Sequence, residues 1–219
     1  MTPYTYLSIR QPWSELIVSG LKRVENREWK SPPQHTGPLF VHAGRTMTKR
    51  ALEEAIEFTR AQGFEFDEAE IRAAAKKHRG GIVGVVNVTG STRHPGSFDG
   101  YGMAKGFALA GCIGIQLADA RPLPLISMKG FLGIQPLPSS YLGQEHRRAF
   151  SELVTLHRNR LARRDEVVRV FSEIRKSASK VTGRDCVEHS RHFGLSPREL
   201  CRELEAFQVV EHGTSEAAK

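Results

Sequence analysis

Side chains able to do chemistry are concentrated near the start of the 219-residue chain, within residues 7–29. Both tryptophans of the chain lie there, together with lysine, arginine and glutamate side chains at short spacings. Lys22 and Glu25, three residues apart, would suit an acid–base pair in which a buried neighbour tunes the pKa of the lysine. The same spacing is typical of a plain ion pair. The stretch therefore indicates a binding or catalytic site organised around these two residues.

Planar and cationic groups beside the pair favour a ligand that carries both phosphate and a ring. Arg10 and Arg27 can each hold a phosphate with two hydrogen bonds, or can brace the glutamates of the stretch. Trp29 shares a strand face with Arg27, where it would either stack a nucleobase or pack at the rim of a barrel. Trp13 is predicted to pack in the core. We therefore interpret the face from Lys22 to Trp29 as the ligand side.

Two residues outside the stretch are candidates for the same site. His42 follows two apolar residues on a predicted strand, where it is either a hydrogen-bonded core histidine or an acid–base group near Lys22. Lys129 precedes a glycine at the start of a predicted strand, where it either lines the cleft or is solvated. Both are included among the predicted ligand-binding residues.

Composition favours a partner with many negative charges. The net charge is +8 and the pI is about 9.7, which favours nucleic acid first and an anionic membrane surface second. The three cysteines are odd in number and far apart, which argues against a disulfide framework and for a reducing compartment. No apolar run approaches a membrane span, and the N-terminus lacks the apolar stretch of a signal peptide. We therefore predict a soluble, cytoplasmic protein with no membrane partner.

One cluster of potential metal ligands lies near the C-terminus, but its geometry is unfavourable. Cys186, His189 and His192 are spaced three residues apart, with Cys201 nearby. On a helix the first and last of these would point about 120° apart and would not converge on zinc. A glycine-rich loop of the kind that cradles phosphate is missing as well. We therefore predict no metal site and no cofactor.

The hydrophobic pattern predicts a small barrel-like domain of the α+β class. Short apolar segments with strand periodicity recur from residue 6 to residue 134, and residues 82–88 form the strongest buried strand. Two helices within residues 46–79 are predicted as an insertion between strands, and residues 91–105 as a long loop. Pro122 and Pro124 should restrict one strand to an edge or a crossover. This domain is predicted to span residues 1–140.

Beyond residue 140 the pattern is helical throughout. A capping box, Ser196-Pro197-Arg198-Glu199, follows a glycine turn and has proline at the first helical position. A helix, a turn and a capped helix give the outline of a helix-turn-helix, although a helical hairpin that only packs has the same outline. Residues 141–219 are therefore predicted as an all-helical extension, which in the helix-turn-helix case would bind DNA.

The opening stretch contains Arg10-Gln11-Pro12-Trp13, then Gly20, Lys22, Glu25 and Arg27 at motif spacing, and Val41-His42-Ala43 follows. With these residues it resembles the ASCH domain family, whose fold is a barrel similar to the PUA domain of RNA-modifying proteins. The resemblance covers roughly residues 5–138 and leaves the helical tail outside. It implies a small PUA-like mixed β-barrel with flanking helices, and a cleft that holds RNA or a modified nucleoside.

The family also implies an enzymatic alternative, from which this chain departs at one position. Some members are ribonucleases, or amidohydrolases that act on N4-acetylcytidine with a lysine and a threonine three residues further on. Lys22 matches that lysine, but Glu25 stands at the position of the threonine. A carboxylate can act as a base toward water, yet it cannot replace a hydroxyl nucleophile in the same acyl transfer. This departure favours binding over catalysis.

We predict an RNA-binding ASCH protein that recognises single-stranded RNA or a nucleotide in a basic cleft. Basic groups would hold phosphate, Trp29 would stack a base, and Glu25 would accept a hydrogen bond from an exocyclic amine. One alternative is a hydrolase, a metal-independent ribonuclease or N4-acetylcytidine amidohydrolase with Lys22 and Glu25 as its catalytic pair. The other is a DNA-binding regulator that acts through residues 141–219. The predicted ligand-binding residues are Arg10, Gln11, Lys22, Glu25, Arg27, Trp29, His42 and Lys129.

Overall fold

The structure is a computed structural model, and it describes residues 3–93, 109, 111–177, 190 and 200. Its contacts divide the chain into two compact units, residues 1–96 with 103–157, and residues 97–102 with 158–219. The predicted capping box and the Cys186–His192 spacing lie outside the described residues, as does most of the loop predicted at residues 91–105.

The first unit is built on one mixed sheet whose strands are joined by short helices. The elements are β1 (Thr5–Ile9), α1 (Trp13–Val18), β2 (Val24–Arg27), β3 (Gly37–Ala43), α2 (Lys49–Ala61), α3 (Glu68–Lys77), β4 (Gly81–Thr92), β5 (Ile113–Ser127), β6 (Ile134–Pro136), a 3₁₀ turn (Ser139–Tyr141) and α4 (Gln144–Ser177).

The sheet is mixed and six-stranded within the described part of the chain, with the order β2-β5-β4-β3-β1-β6. The β1–β3 pair is parallel, and the other neighbouring pairs are antiparallel. The mixed sheet and the helices that flank it confirm the predicted α+β class. Helices α2 and α3 fall within residues 46–79, where the sequence predicts a helical insertion.

Strands β4 and β5 form the long, bent centre of the sheet. Their register shifts at three places, between Ile82 and Gly84 and twice further along β4, and such bulges bend a strand and increase its twist. Strand β2 pairs only with residues 113–116 of β5. The later half of β5, which holds Pro122 and Pro124, therefore pairs with β4 alone among the described strands. Proline in a strand is tolerated at edges and bulges, and the β4–β5 register shifts opposite this half of β5, between Ile82 and Gly84.

Side chains on the two faces of the sheet enter different hydrophobic clusters. Leu7 and Ile9 of β1 pack in one cluster, whereas Tyr6, which precedes Leu7, packs in another, as the two-residue period of a strand requires. Trp13 is half-buried and packs against both the first cluster and the cluster formed by α1, α2 and α3. Its ring meets that of Phe58 at a centroid distance of 6.2 Å.

The beginning of α4 packs into the same unit as the sheet. Phe150 is 2% exposed and stacks on Phe40 of β3 at a centroid distance of 5.2 Å. The buried amide of Asn87 in β4 donates to the Leu153 carbonyl at 3.2 Å and to the Asp119 carboxylate at 2.8 Å. These contacts anchor the first turns of α4 on the sheet. None of the described helices is both long enough and apolar enough to cross a membrane.

Candidate nucleic-acid site

The predicted ligand stretch is positioned by a helix that ends sharply. Gly20 adopts a φ of +83°, which favours glycine, and it terminates α1. The Lys22 backbone N–H then donates to the Leu16 carbonyl at 2.7 Å, which folds the chain back along the helix. Strand β2 begins at Val24 and pairs Glu25 with Ile115 of β5. This turn places the Lys22 and Glu25 side chains next to each other.

Lys22, Glu25 and Arg27 form a three-membered ion-pair network. The Lys22 Nζ atom lies 2.9 Å from Glu25 Oε2, and Arg27 Nε lies 3.1 Å from Glu25 Oε1. Lys22 also donates to the Val24 carbonyl, and Arg27 donates to the Ser8 carbonyl of β1. The carboxylate is thereby held between two cations, and the network connects β2 to β1.

The network lies below the surface. Lys22 is 4% exposed and Glu25 is 7% exposed. The Lys22 ammonium lies 5.9 Å from the centroid of Trp13, and the Arg27 guanidinium lies 5.6 Å from that of the half-buried Trp29. The structure therefore brings Lys22, Glu25, Arg27 and Trp29 together, as the sequence spacing predicts. A ligand that used the Glu25 carboxylate would have to compete with both cations for it.

The first two residues of the motif, Arg10 and Gln11, lie outside the ion-pair network. Gln11 is 3% exposed and donates to Glu15 Oε1 at 3.2 Å and to the His78 carbonyl, so it joins the start of α1 to the end of α3. Arg10 is exposed. A Cβ built on Gly44 would lie 3.6 Å from the Arg10 Cα, so the Arg10 backbone runs beside Gly44.

A cavity of about 620 Å³ opens on the part of the sheet where β1 and β3 meet the segment that follows β5. His42 and Lys129, the remaining predicted residues, both line it. Lys129 and Arg45 are exposed cations, and Phe131 and Leu132 are large exposed apolar residues at 54% and 89%. The residues that line the cavity are Ser8, His42, Gly44, Arg45, Gly80, Met128, Lys129, Gly130, Phe131 and Leu132.

The residues that line the cavity contact one another and the buried ion-pair network. Lys129 Nζ lies 5.3 Å from the centroid of Phe131, so a cation and an aromatic ring are presented together. Arg27, in the buried network, is hydrogen-bonded to the backbone of Ser8, which lines the cavity. The Tyr6 ring lies 5.8 Å from that of His42, and burial raises the pKa of the Tyr6 phenol, an effect that a hydrogen bond with the Phe131 backbone partly opposes.

Sequence reasoning misses Ser8, Arg45, Gly130 and Phe131 as site residues. Ser8 sits in the middle of β1, and its role depends on the β1–β3 pairing, in which it lies opposite His42. Phe131 is taken from the sequence as a strand residue, whereas it precedes β6 and is half-exposed. The short run Lys129-Gly130-Phe131, a cation and an aromatic separated by glycine, is the one sequence feature that indicates a binding loop.

Comparison with known proteins finds a domain family that matches part of the chain. Residues 7–108 match the family model described as the ASCH domain, as the motif resemblance predicts. Human activating signal cointegrator 1 is 45% identical over 51 residues, which is 23% of this chain and 8% of that protein. The mouse protein of the same name is 51% identical over 37 residues, or 17% of this chain and 6% of its own length.

Solved structures of ASCH proteins are also similar. The ASCH protein of Zymomonas mobilis gives a TM-score of 0.39 at 13% identity, covering 69% of this chain and 95% of that one. A point mutant of the same protein gives a TM-score of 0.37 at 13% identity, covering 69% and 98%. The chain spans only a small fraction of the cointegrators that it matches, whereas it spans nearly all of these ASCH proteins.

Proposed function

We propose that the ASCH domain binds single-stranded RNA across the cavity lined by Ser8, His42 and residues 128–132. The observation that carries the proposal is the grouping of Arg45, Lys129 and the exposed Phe131 ring around one cavity. Cations that hold phosphate and an aromatic ring that stacks a base are the two components of single-strand recognition. The net charge of +8 supports the same class of partner.

The predicted residues divide into those that contact RNA and those that position them. Arg10 and Lys129 are exposed and bind phosphate, and Trp29 offers a half-buried ring beside Arg27. Lys22, Glu25 and Arg27 act as positioning residues, because the Glu25 carboxylate is already bound by both cations and Arg27 holds the backbone of Ser8. Gln11 has the same kind of role at the base of α1.

Binding should depend on salt and on Lys129. We expect a fluorescein-labelled 12-nucleotide single-stranded RNA to bind in an anisotropy titration. Its affinity should fall as the salt concentration rises, because protein cations that contact phosphates release the counterions condensed on the RNA. Lys129→Ala should weaken binding roughly equally across sequences and reduce the salt slope by about 1, the loss of one phosphate contact. Lys77→Ala removes one exposed lysine from the end of α3 and serves as the matched control.

Three results would argue against this proposal. If the protein does not retain RNA even at low salt, the proposed function is wrong. Equal weakening by Lys129→Ala and Lys77→Ala would mean that charge attracts RNA without any site. Binding of duplex DNA in preference to single-stranded RNA would instead favour the regulator, which is supported by exposed arginines at 158, 163, 164 and 169 of α4.

A hydrolase is the second candidate because of the buried Lys22–Glu25 pair. The two groups lie 2.9 Å apart within the segment that resembles the amidohydrolase motif, a distance at which a proton can be shared or transferred. Incubation with labelled RNA, with and without EDTA, and with N4-acetylcytidine tests for cleavage and for release of acetate. Turnover that Lys22→Ala abolishes would establish the hydrolase, and RNA retention without turnover excludes it. The odd cysteine count supports a cytoplasmic, reducing location for either activity.

A further inference from the structure

The inner wall of the cavity holds two buried polar atoms without partners. His42 is 3% exposed, and its Nδ1 atom has no hydrogen-bond partner among the described residues. The Ser8 hydroxyl, opposite His42 in the β1–β3 register, has none there either. A buried polar atom without a partner costs stability, and most such atoms in folded proteins are paired. Both atoms belong to residues that line the cavity, where a ligand can supply the missing hydrogen bonds.

The chemistry of these two atoms follows from the bond that His42 already makes. His42 Nε2 lies 3.1 Å from the Met128 carbonyl, which can only accept, so Nε2 carries the hydrogen. In a neutral imidazole Nδ1 is then an acceptor, and the Ser8 hydroxyl can donate or accept. Together they match the edge of a nucleobase, where a donor and an acceptor stand side by side.

Gly130 covers both atoms with backbone alone. A Cβ built on it would lie 2.6 Å from Ser8 Oγ and 2.7 Å from His42 Nδ1. Gly130 is itself part of the cavity lining. Because glycine carries no side chain and is conformationally permissive, a displacement of its peptide can uncover the pair to the cavity.

We propose that the cavity is a pocket for one unstacked nucleobase of the bound RNA strand. The base stacks on Phe131, its edge hydrogen-bonds with Ser8 Oγ and His42 Nδ1, and Arg45 and Lys129 hold the phosphates on either side. The cavity volume of about 620 Å³ lies in the range of small-ligand pockets, which supports a guest of mononucleotide size. This inference rests on the proposed function and names the part of the RNA that enters the protein.

Three variants of the full chain test the pocket. Phe131→Ala should weaken binding of the 12-nucleotide RNA by roughly 5- to 100-fold, the range found for loss of one stacked base. Phe131→Trp keeps a ring and should restore most of the affinity. Ser8→Ala should weaken binding by roughly 5- to 10-fold, the value of one hydrogen bond. It should leave the melting temperature unchanged or raised, since the hydroxyl has no partner among the described residues of the free protein. A purely structural Ser8 would give the opposite pattern.

Mononucleotides separate this inference from RNA binding in general. Nucleoside 5′-monophosphates should displace the labelled RNA from the unchanged protein. They should displace it less effectively from the Phe131→Ala protein. If RNA binds but mononucleotides do not compete, and Phe131→Ala and Ser8→Ala bind RNA like the unchanged protein, the pocket is wrong and RNA binding stands. If neither RNA nor mononucleotides bind, both proposals fail. If mononucleotides bind alone, in a manner that depends on Phe131, the pocket stands and the RNA proposal fails.

Discussion

Glu25→Ala is expected to lower the free energy of unfolding by about 3–5 kcal/mol, as is found when one partner of a buried ion pair is removed. The Glu25 carboxylate lies between Lys22 and Arg27, and Lys22 is only 4% exposed. Removal of the carboxylate leaves the ammonium buried with carbonyl and aromatic neighbours alone. The cost arises from this uncompensated charge, which is much larger than the net contribution of the pair itself.

Urea unfolding followed by circular dichroism measures this loss. Glu54→Ala is the matched control, because Glu54 is paired with Arg50 at 2.6 Å on the exposed face of α2, where the pair contributes little. Glu25→Gln keeps the shape of the side chain and removes only its charge, and it should fall between the two. If Glu25→Ala has the same midpoint of urea unfolding as the unchanged protein, the network does not stabilise the fold.

Gly130→Ala should weaken RNA binding and also lower stability. The added methyl group would lie 2.4 Å from His42 Cε1 and 2.6 Å from Ser8 Oγ, closer than packed carbon atoms can approach. Either the segment from Met128 to Phe131 or the His42 and Ser8 side chains must therefore shift, and either shift disturbs the bond between His42 and the Met128 carbonyl. We expect RNA affinity to fall by at least about tenfold, with a stability loss of about 1–3 kcal/mol.

Gly90→Ala provides the comparison for this variant. A Cβ on Gly90 would have its nearest contact at 3.7 Å, an ordinary van der Waals distance, so its binding and stability should remain close to those of the unchanged protein. Anisotropy titrations compare the RNA affinities of the two variants, and thermal melts compare their stabilities. If Gly130→Ala melts at a lower temperature but binds RNA with full affinity, the segment from Met128 to Phe131 supports the fold and takes no part in binding.

Local patterns in the sequence predict much of the fold, and they predict the Lys22–Glu25–Arg27 network of the candidate site. The spacing of Lys22, Glu25 and Arg27 places them on one network because the turn at Gly20 and the strand that follows are both short-range structures. The same is true of α2 and α3, which begin at Thr48 and Asp67 caps whose side chains accept from the backbone. Such features depend on neighbours within a few residues, and a sequence displays them directly.

The cavity depends on long-range pairing and could not be predicted in the same way. Ser8 meets His42 through a parallel strand pair, and the segment around Gly130 reaches both from more than 80 residues further along the chain. The burial of Glu25 could not be predicted either. Its segment is rich in charged residues and resembles an exposed one, and Glu25 is buried only because β2 pairs with β5. The packing of Phe150 on Phe40, across a predicted domain boundary at residue 140, has the same long-range origin.

Photo-crosslinking tests most directly the claim that the cavity is the RNA-binding surface. The full chain is irradiated with a single-stranded RNA, digested with trypsin, and the crosslinked peptide is identified by mass spectrometry. We predict a crosslink to Phe131, in the peptide that begins at Gly130, and its loss in Phe131→Ala. Crosslinks confined to residues 158–219, or to surfaces remote from the cavity and unchanged in Phe131→Ala, would contradict the claim.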